Sequence, residues 1–203
     1  MICIITGDIV GSRKLKEPWL NSLKDALKWL TAKDSDWEIY RGDSFQLEVR
    51  AEEAIKAAVY LKACLRANKG ADVRMGVGLG TFSTKSLKLT EANGEAFIHS
   101  GSAFDSLKIG KVNLSVKTSD AEFDEEINVM IKLALIAMDS WGTVAAEVVR
   151  LALTHEKLLQ NELAALSGRT QSSISEALKR AHYAEIIEMD SLYRKKLNKI
   201  LKK

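Results

Sequence analysis

Two aspartates raise the first chemical question. Asp8 sits in "ITGDIVGSR", after a short β-branched run, and Asp43 sits in "YRGDSFQLEV", at the tip of an apparent hairpin. Two carboxylates brought to about 5 Å repel by about 3 kcal/mol at an effective dielectric near 20. A shared proton, a neighbouring Arg or Lys, or a hard divalent cation must then offset that repulsion. Arg13, Lys14 and Arg41 are close in sequence and supply the positive charge. Mg²⁺ is the alternative, since it takes oxygen ligands and brings phosphates with it. The plainer reading is turn chemistry, because Gly42 tolerates φ > 0 and Asp43 can hydrogen-bond its own backbone. The residues alone leave both readings open.

A second pattern lies in "NELAALSGRTQSSISEALKRA", residues 161–181. Leu163, Ala164 and Leu166 are expected to form the packing face of one helix, and Gly168 takes a turn. Thr170 then caps a second helix, whose Ile174, Ala177, Leu178 and Ala181 face inward. Gln171, Ser172, Ser175 and Lys179 fall on its outer side. Such a helix-turn-helix reads duplex DNA: Gln and Ser can contact bases, and Arg169, Thr170, Lys179 and Arg180 suit phosphates. A helical hairpin used only for packing is the alternative.

The elements that must position these residues follow from hydrophobic periodicity. Residues 2–6 form a β-branched run. Leu20, Leu23, Leu27 and Leu30 recur at helical spacing after Pro18, and a hairpin follows over 37–50. Ala54, Ile55, Ala58, Leu61, Cys64 and Leu65 mark a second helix. Val73, Met75, Val77 and Leu79 alternate as a strand whose other face is Arg74, Gly76, Gly78 and Gly80, a nearly bare backbone open to close approach. The order β-α-β-β-α-β is the ferredoxin-like arrangement, which sets the first and third strands side by side and so brings Asp8 to Asp43. A loop over 81–93, a helix over 94–108 and a strand in "KVNLSVK" complete residues 1–120. Beyond residue 121 the pattern is helical throughout. Residues 121–142 read as a connecting helix, with Phe123, Ile127, Met130, Ile131, Leu135 and Met138 on its apolar side, and 143–203 as the helix-turn-helix domain. Tyr183, Ile186, Tyr193, Leu197 and Ile200 form a last helical stripe, expected to be a docking face or the seam of a homodimer.

Composition excludes other classes. The 203 residues include one Pro and 28% charged residues, unlike a disordered chain. No apolar run approaches the ~20 residues that span a bilayer, and "MICIITGD" does not read as a signal peptide. Cys3 and Cys64 lie in apolar patterns and read as core thiols of a cytoplasmic protein. Residues 1–139 carry 19 Lys/Arg against 20 Asp/Glu, whereas 140–203 carry 11 against 7. That asymmetry suits a basic module joined to a neutral one.

Together "ITGDIVGSRKL", "YRGDSFQLEV", "VRMGVGLG" and "NGEAFIHSGSAFDSL" resemble the SatD-like family, and the first three are also similar to the palm of nucleotide cyclases and GGDEF-type enzymes. The resemblance implies that Asp8 and Asp43 are the metal ligands, with Mg as cofactor. The positive charge of Arg13, Lys14 and Arg41 at the same corner, beside Gly42 and Asp43, leads us to expect a nucleotide or similar anionic ligand there. Ser44 stands where the palm hairpin carries a second acid. Ile98 and Gly101 stand where cyclases place the Asn and Arg that steer the nucleotide and stabilise charge. The expectation is therefore an α+β protein, a cyclase-like sensor joined to a DNA reader and acting in transcription regulation. A metal-dependent nucleotide cyclase or transferase using Asp8 and Asp43 is the alternative.

Overall fold

The computed structural model describes residues 1–15, 18–81, 89 and 92–201. Most of the loop expected over 81–93, and the last two lysines of the basic tail, lie outside the described residues. The chain is an α+β protein. Strands β1 (Ile2–Ile9), β2 (Trp37–Tyr40), β3 (Ser44–Arg50), β4 (Val73–Gly80) and β5 (Leu114–Lys117) form one sheet in the order β2-β3-β1-β4-β5. Neighbours pair antiparallel except β4 and β5, which run parallel. Helix α1 (Trp19–Leu30) joins β1 to β2, α2 (Ala54–Arg66) joins β3 to β4, and α3 (Glu95–Gly110) joins β4 to β5. Five more helices follow: α4 (Ala121–Met138), α5 (Thr143–Thr154), α6 (Gln160–Ser167), α7 (Gln171–Arg180) and α8 (Tyr183–Ile200). Among the described residues no helix is long and apolar enough to cross a membrane.

Strand alternation divides the side chains between two faces. Cys3, Ile5 and Ile9 of β1, Phe45, Leu47 and Val49 of β3, and Val73, Met75, Val77 and Leu79 of β4 enter the main core, with both cysteines buried and free. On the opposite face the glycines of β4 admit α3 at backbone distance. A Cβ at Gly78 would lie 2.1 Å from Ala96 O and Ser100 N, and one at Gly76 would lie 2.3 Å from Phe104 N. The bare strand surface is thus filled by a helix. Thr6 Oγ1 and Ser100 Oγ share a buried hydrogen bond of 3.0 Å beside it.

Helix α2 is buried almost all round, eleven of its thirteen residues including the ion-paired Lys62, so it must be covered on more than one side. The sheet covers one side, and α5 and α8 lie against it as well. The main core therefore runs without a break from β1 through α4 and α5 into α8. Ile186, Tyr193 and Leu197 of α8 belong to this core, and Tyr193 donates its hydroxyl to Ala51 O at 2.6 Å. The stripe expected as a dimer seam is thus occupied by the chain's own helices. A smaller cluster of Val148, Ala152, Leu163, Ala164, Ile174 and Ala177 holds α5, α6 and α7 together. Leu166 is not part of it: it stands 56% exposed, because Leu163 and Ala164 already take up the buried side of the two-turn α6.

Candidate functional site

Strand register brings the two aspartates to one end of the sheet. Asp8 lies opposite Ser44 on β3 and opposite Arg74 on β4, while Tyr40 of β2 lies opposite Ser44. A single cross-strand row therefore reads Tyr40, Ser44, Asp8, Arg74 on the face that α3 covers at its other edge. Asp43 precedes β3 in the hairpin, where Arg41 (φ 53°) and Gly42 (φ 87°) both adopt left-handed backbone. Gly is at home there, whereas for Arg41 the conformation costs roughly 1–2 kcal/mol. The Asp43 carbonyl accepts from Ile9 N at 3.1 Å, and its carboxylate accepts from Ser12 Oγ at 2.5 Å.

Asp8 is held by a residue that the sequence reading did not assign to the site. Arg74 donates Nε to Asp8 Oδ1 at 2.9 Å and Nη2 to Oδ2 at 2.5 Å, a bidentate pair with both side chains less than a third exposed. The hydrogen bond that Arg74 donates to Asp8 and the negative charges of Asp8 and Asp43 outweigh burial and raise the Arg74 pKa, so the guanidinium stays charged. Arg13, Lys14 and Arg41 are exposed around the same corner, and none of the three forms an ion pair among the described residues. Tyr40 also belongs to the corner. Burial raises its hydroxyl pKa, Asp8 pushes in the same direction, and Arg41 pulls it down. Among the described residues no group of three or more His, Cys, Asp or Glu side chains is placed to hold a metal ion. The signal for Arg74 was present in the sequence as the one charged side chain on an otherwise glycine face. Only the β1–β4 register shows what it meets.

Apart from the exposed Leu166, the helix pair packs as its sequence suggests. Gly168 ends α6 at φ 66°, and Thr170 caps α7 by accepting Ser173 N at 3.2 Å. Ile174 and Ala177 are fully buried, Leu178 partly, and Gln171, Ser172, Ser175, Lys179 and Arg180 are exposed. Arg169 behaves differently from the others, because its guanidinium is tied to Glu147 of α5 at 2.6 Å. Glu176 shares the exposed side of α7, a carboxylate among the polar groups that the sequence reading did not single out.

The two regions are joined by polar contacts. Asp72, at the start of β4 and two residues from Arg74, pairs with Lys62 at 2.8 Å and Arg66 at 3.2 Å, both from α2. Lys62, only 1% exposed, also reaches Asp139 at 2.6 Å, and Arg66 donates to Trp141 O. Trp141 in turn donates Nε1 to Ala181 O, at the end of α7, at 3.0 Å.

Fold and site define an α+β protein with a five-stranded mixed sheet, a carboxylate–guanidinium corner at one sheet end, and a helical C-terminal half bearing a capped, polar-faced helix. The SatD family profile matches residues 2–187. The chain belongs to the SatD family, as its motifs led us to expect. No curated protein and no solved structure matches it.

Proposed function

We propose that this chain is a DNA-binding transcriptional regulator whose N-terminal half is a degenerate, palm-like sensor of a nucleotide or similar anion. The observation that carries the DNA reading is α7. Its inner side is sealed against α5 and α6, and Gln171, Ser172, Ser175 and Lys179 stand exposed along its outer side. An α-helix fits the major groove, where such side chains reach base edges and phosphates. The left-handed Gly168 and the Thr170 cap support a helix-turn-helix. The ferredoxin-like reading of the other half is supported by the order β2-β3-β1-β4, by antiparallel neighbours, and by helices between β1 and β2 and between β3 and β4.

The corner favours an anion over a bare cation. Arg13, Lys14, Arg41 and Arg74 set four positive charges against the two of Asp8 and Asp43, a net of +2. Mg²⁺ would bind there with a phosphate and only after Arg74 releases Asp8, whereas metal-dependent transfer needs both carboxylates open. Hence sensing is the reading we prefer to turnover.

Fluorescence anisotropy on duplex DNA tests the first half. The logarithm of the affinity is expected to fall linearly with the logarithm of salt concentration, with a slope about one unit shallower in Lys179→Ala. On a site selected from a random pool, Gln171→Ala is expected to cost about 1–3 kcal/mol. Failure to bind any duplex at low salt would overturn the reading. A thermal-shift panel of nucleotides with and without Mg²⁺ tests the corner. A ligand at about 100 times its dissociation constant adds about 2.7 kcal/mol, and Arg41→Ala should shrink that gain.

A further inference from the structure

Helix α4 is apolar on two opposite sides. At 3.6 residues per turn, Ile127, Ile131, Leu135 and Met138 fall on one side, and all four are buried. Val129, Leu133 and Ile136 fall on the other, and they stand 51%, 65% and 75% exposed. A helix that is apolar on both sides is normally covered on both. Leu133 and Ile136 line a groove whose far wall is α8, with Glu185, Glu188, Met189 and Leu192.

The exposed stripe of α8 identifies what fits. Glu185, Glu188, Leu192, Lys195 and Lys199 recur at spacings of three and four, so they share one face, and all five are exposed. The stripe is antisymmetric in charge: two acids precede Leu192 and two lysines follow it. None of these four charges forms an ion pair among the described residues. A second α8 laid antiparallel about Leu192 brings Glu185 opposite Lys199 of the other copy and Glu188 to within one residue's rise, about 1.5 Å, of its Lys195, well inside a lysine's reach. The two-fold axis then repeats both pairs. A parallel pairing would set like charges against each other.

We propose that the α4–α8 face is a two-fold interface with a second copy of this chain, centred on Leu192 and sealed by the Leu133–Ile136 ridge. The inference is independent of the DNA reading, since it concerns the solution mass of the protein alone. It replaces the Tyr193 and Leu197 stripe, which is buried internally, with residues on the opposite, outer side of the same helix.

Sedimentation equilibrium of the full chain tests it. The wild type is expected at twice its 22.5 kDa chain mass. Glu185→Lys with Glu188→Lys puts lysine at all four charged positions of the stripe, and Lys195→Glu with Lys199→Glu makes all four acidic. Each double variant alone should sediment at a single chain mass, and an equimolar mixture of the two should recover the dimer. The substituted side chains are exposed, and an unchanged circular dichroism spectrum would confirm folding. A monomeric wild type through the micromolar range, double variants that each remain dimeric, or a mixture that stays monomeric would each overturn the proposal.

Discussion

At the scale of single residues, the most informative side chain is Arg74. Asp8 and Asp43 were identifiable from their positions beside strand patterns, but the group that balances them lies 66 residues from Asp8 along the chain. Bidentate guanidinium–carboxylate pairs are among the stronger polar contacts, and partial exposure moderates this one. Arg74→Leu is expected to lower stability by about 1–2 kcal/mol, by stranding a half-buried carboxylate. Chemical denaturation of Arg74→Leu, Asp8→Asn and the double variant checks this. The two changes should be non-additive, and strict additivity would mean that the pair does not act as a unit. Arg13, Lys14 and Arg41 are the neutralising partners nearest in sequence. They stay exposed at the rim because the left-handed turn at Arg41 and Gly42 and the short 3-10 turn at Ser12–Lys14 carry them outward.

At the scale of elements, the contact of α3 with β4 depends on backbone meeting backbone. At Gly78 an added Cβ would collide with main-chain atoms of α3, which cannot rotate away. Gly78→Ala is therefore expected to cost at least 1–3 kcal/mol through overpacking. Gly101 lies on α3 itself, and among the described residues nothing lies within 4 Å of where its Cβ would stand. Gly101→Ala should leave stability unchanged or raise it by about 0.5–1 kcal/mol, the helix preference of Ala over Gly. Melting curves for the two variants should move in opposite directions, and a harmless Gly78→Ala would refute the close approach. The alternating glycines were readable as a bare surface, because strand period two is a local property. That a helix fills the surface was not readable, since no local pattern states which element arrives.

At the scale of the whole molecule, one core links the sheet to the last helix. Arg194 of α8 reaches across to Glu53 at 2.9 Å and also holds Asp190 at 2.7 Å. Its hydrogen bond draws the Glu53 pKa below the usual carboxylate value of 4.5 against the effect of burial. Glu53 therefore stabilises the fold above that value, and its contribution is lost as pH falls through the depressed pKa. Asp190 runs the other way. Burial raises its pKa, Arg194 counters that, and one carboxylate oxygen has no hydrogen-bond partner among the described residues. Removing Arg194 leaves Asp190 more costly to ionise. The stability gap between wild type and Arg194→Leu should thus be widest near neutral pH and narrow on acidification below about 4.5. Urea titrations at several pH values check the sign, and a gap that widens in acid would contradict it. The continuous core also predicts one cooperative calorimetric transition for the full chain, where separable halves would give two.

Short-range pattern determined the alternating strands, the Thr170 cap, the Gly168 turn and the bare face of β4, because each depends on residues within a few positions of one another, and the order of four such motifs along the chain carried the family resemblance. Tertiary structure alone decided that Arg74 answers Asp8, that Leu166 is left exposed, and that Tyr193 and Leu197 serve the chain's own core. It also decided which apolar side of α4 remains uncovered. Helical spacing shows that a stripe exists, and strand alternation shows which residues share a face. What a stripe or a face meets depends on strand register and on how distant helices pack, and those are set by the fold as a whole.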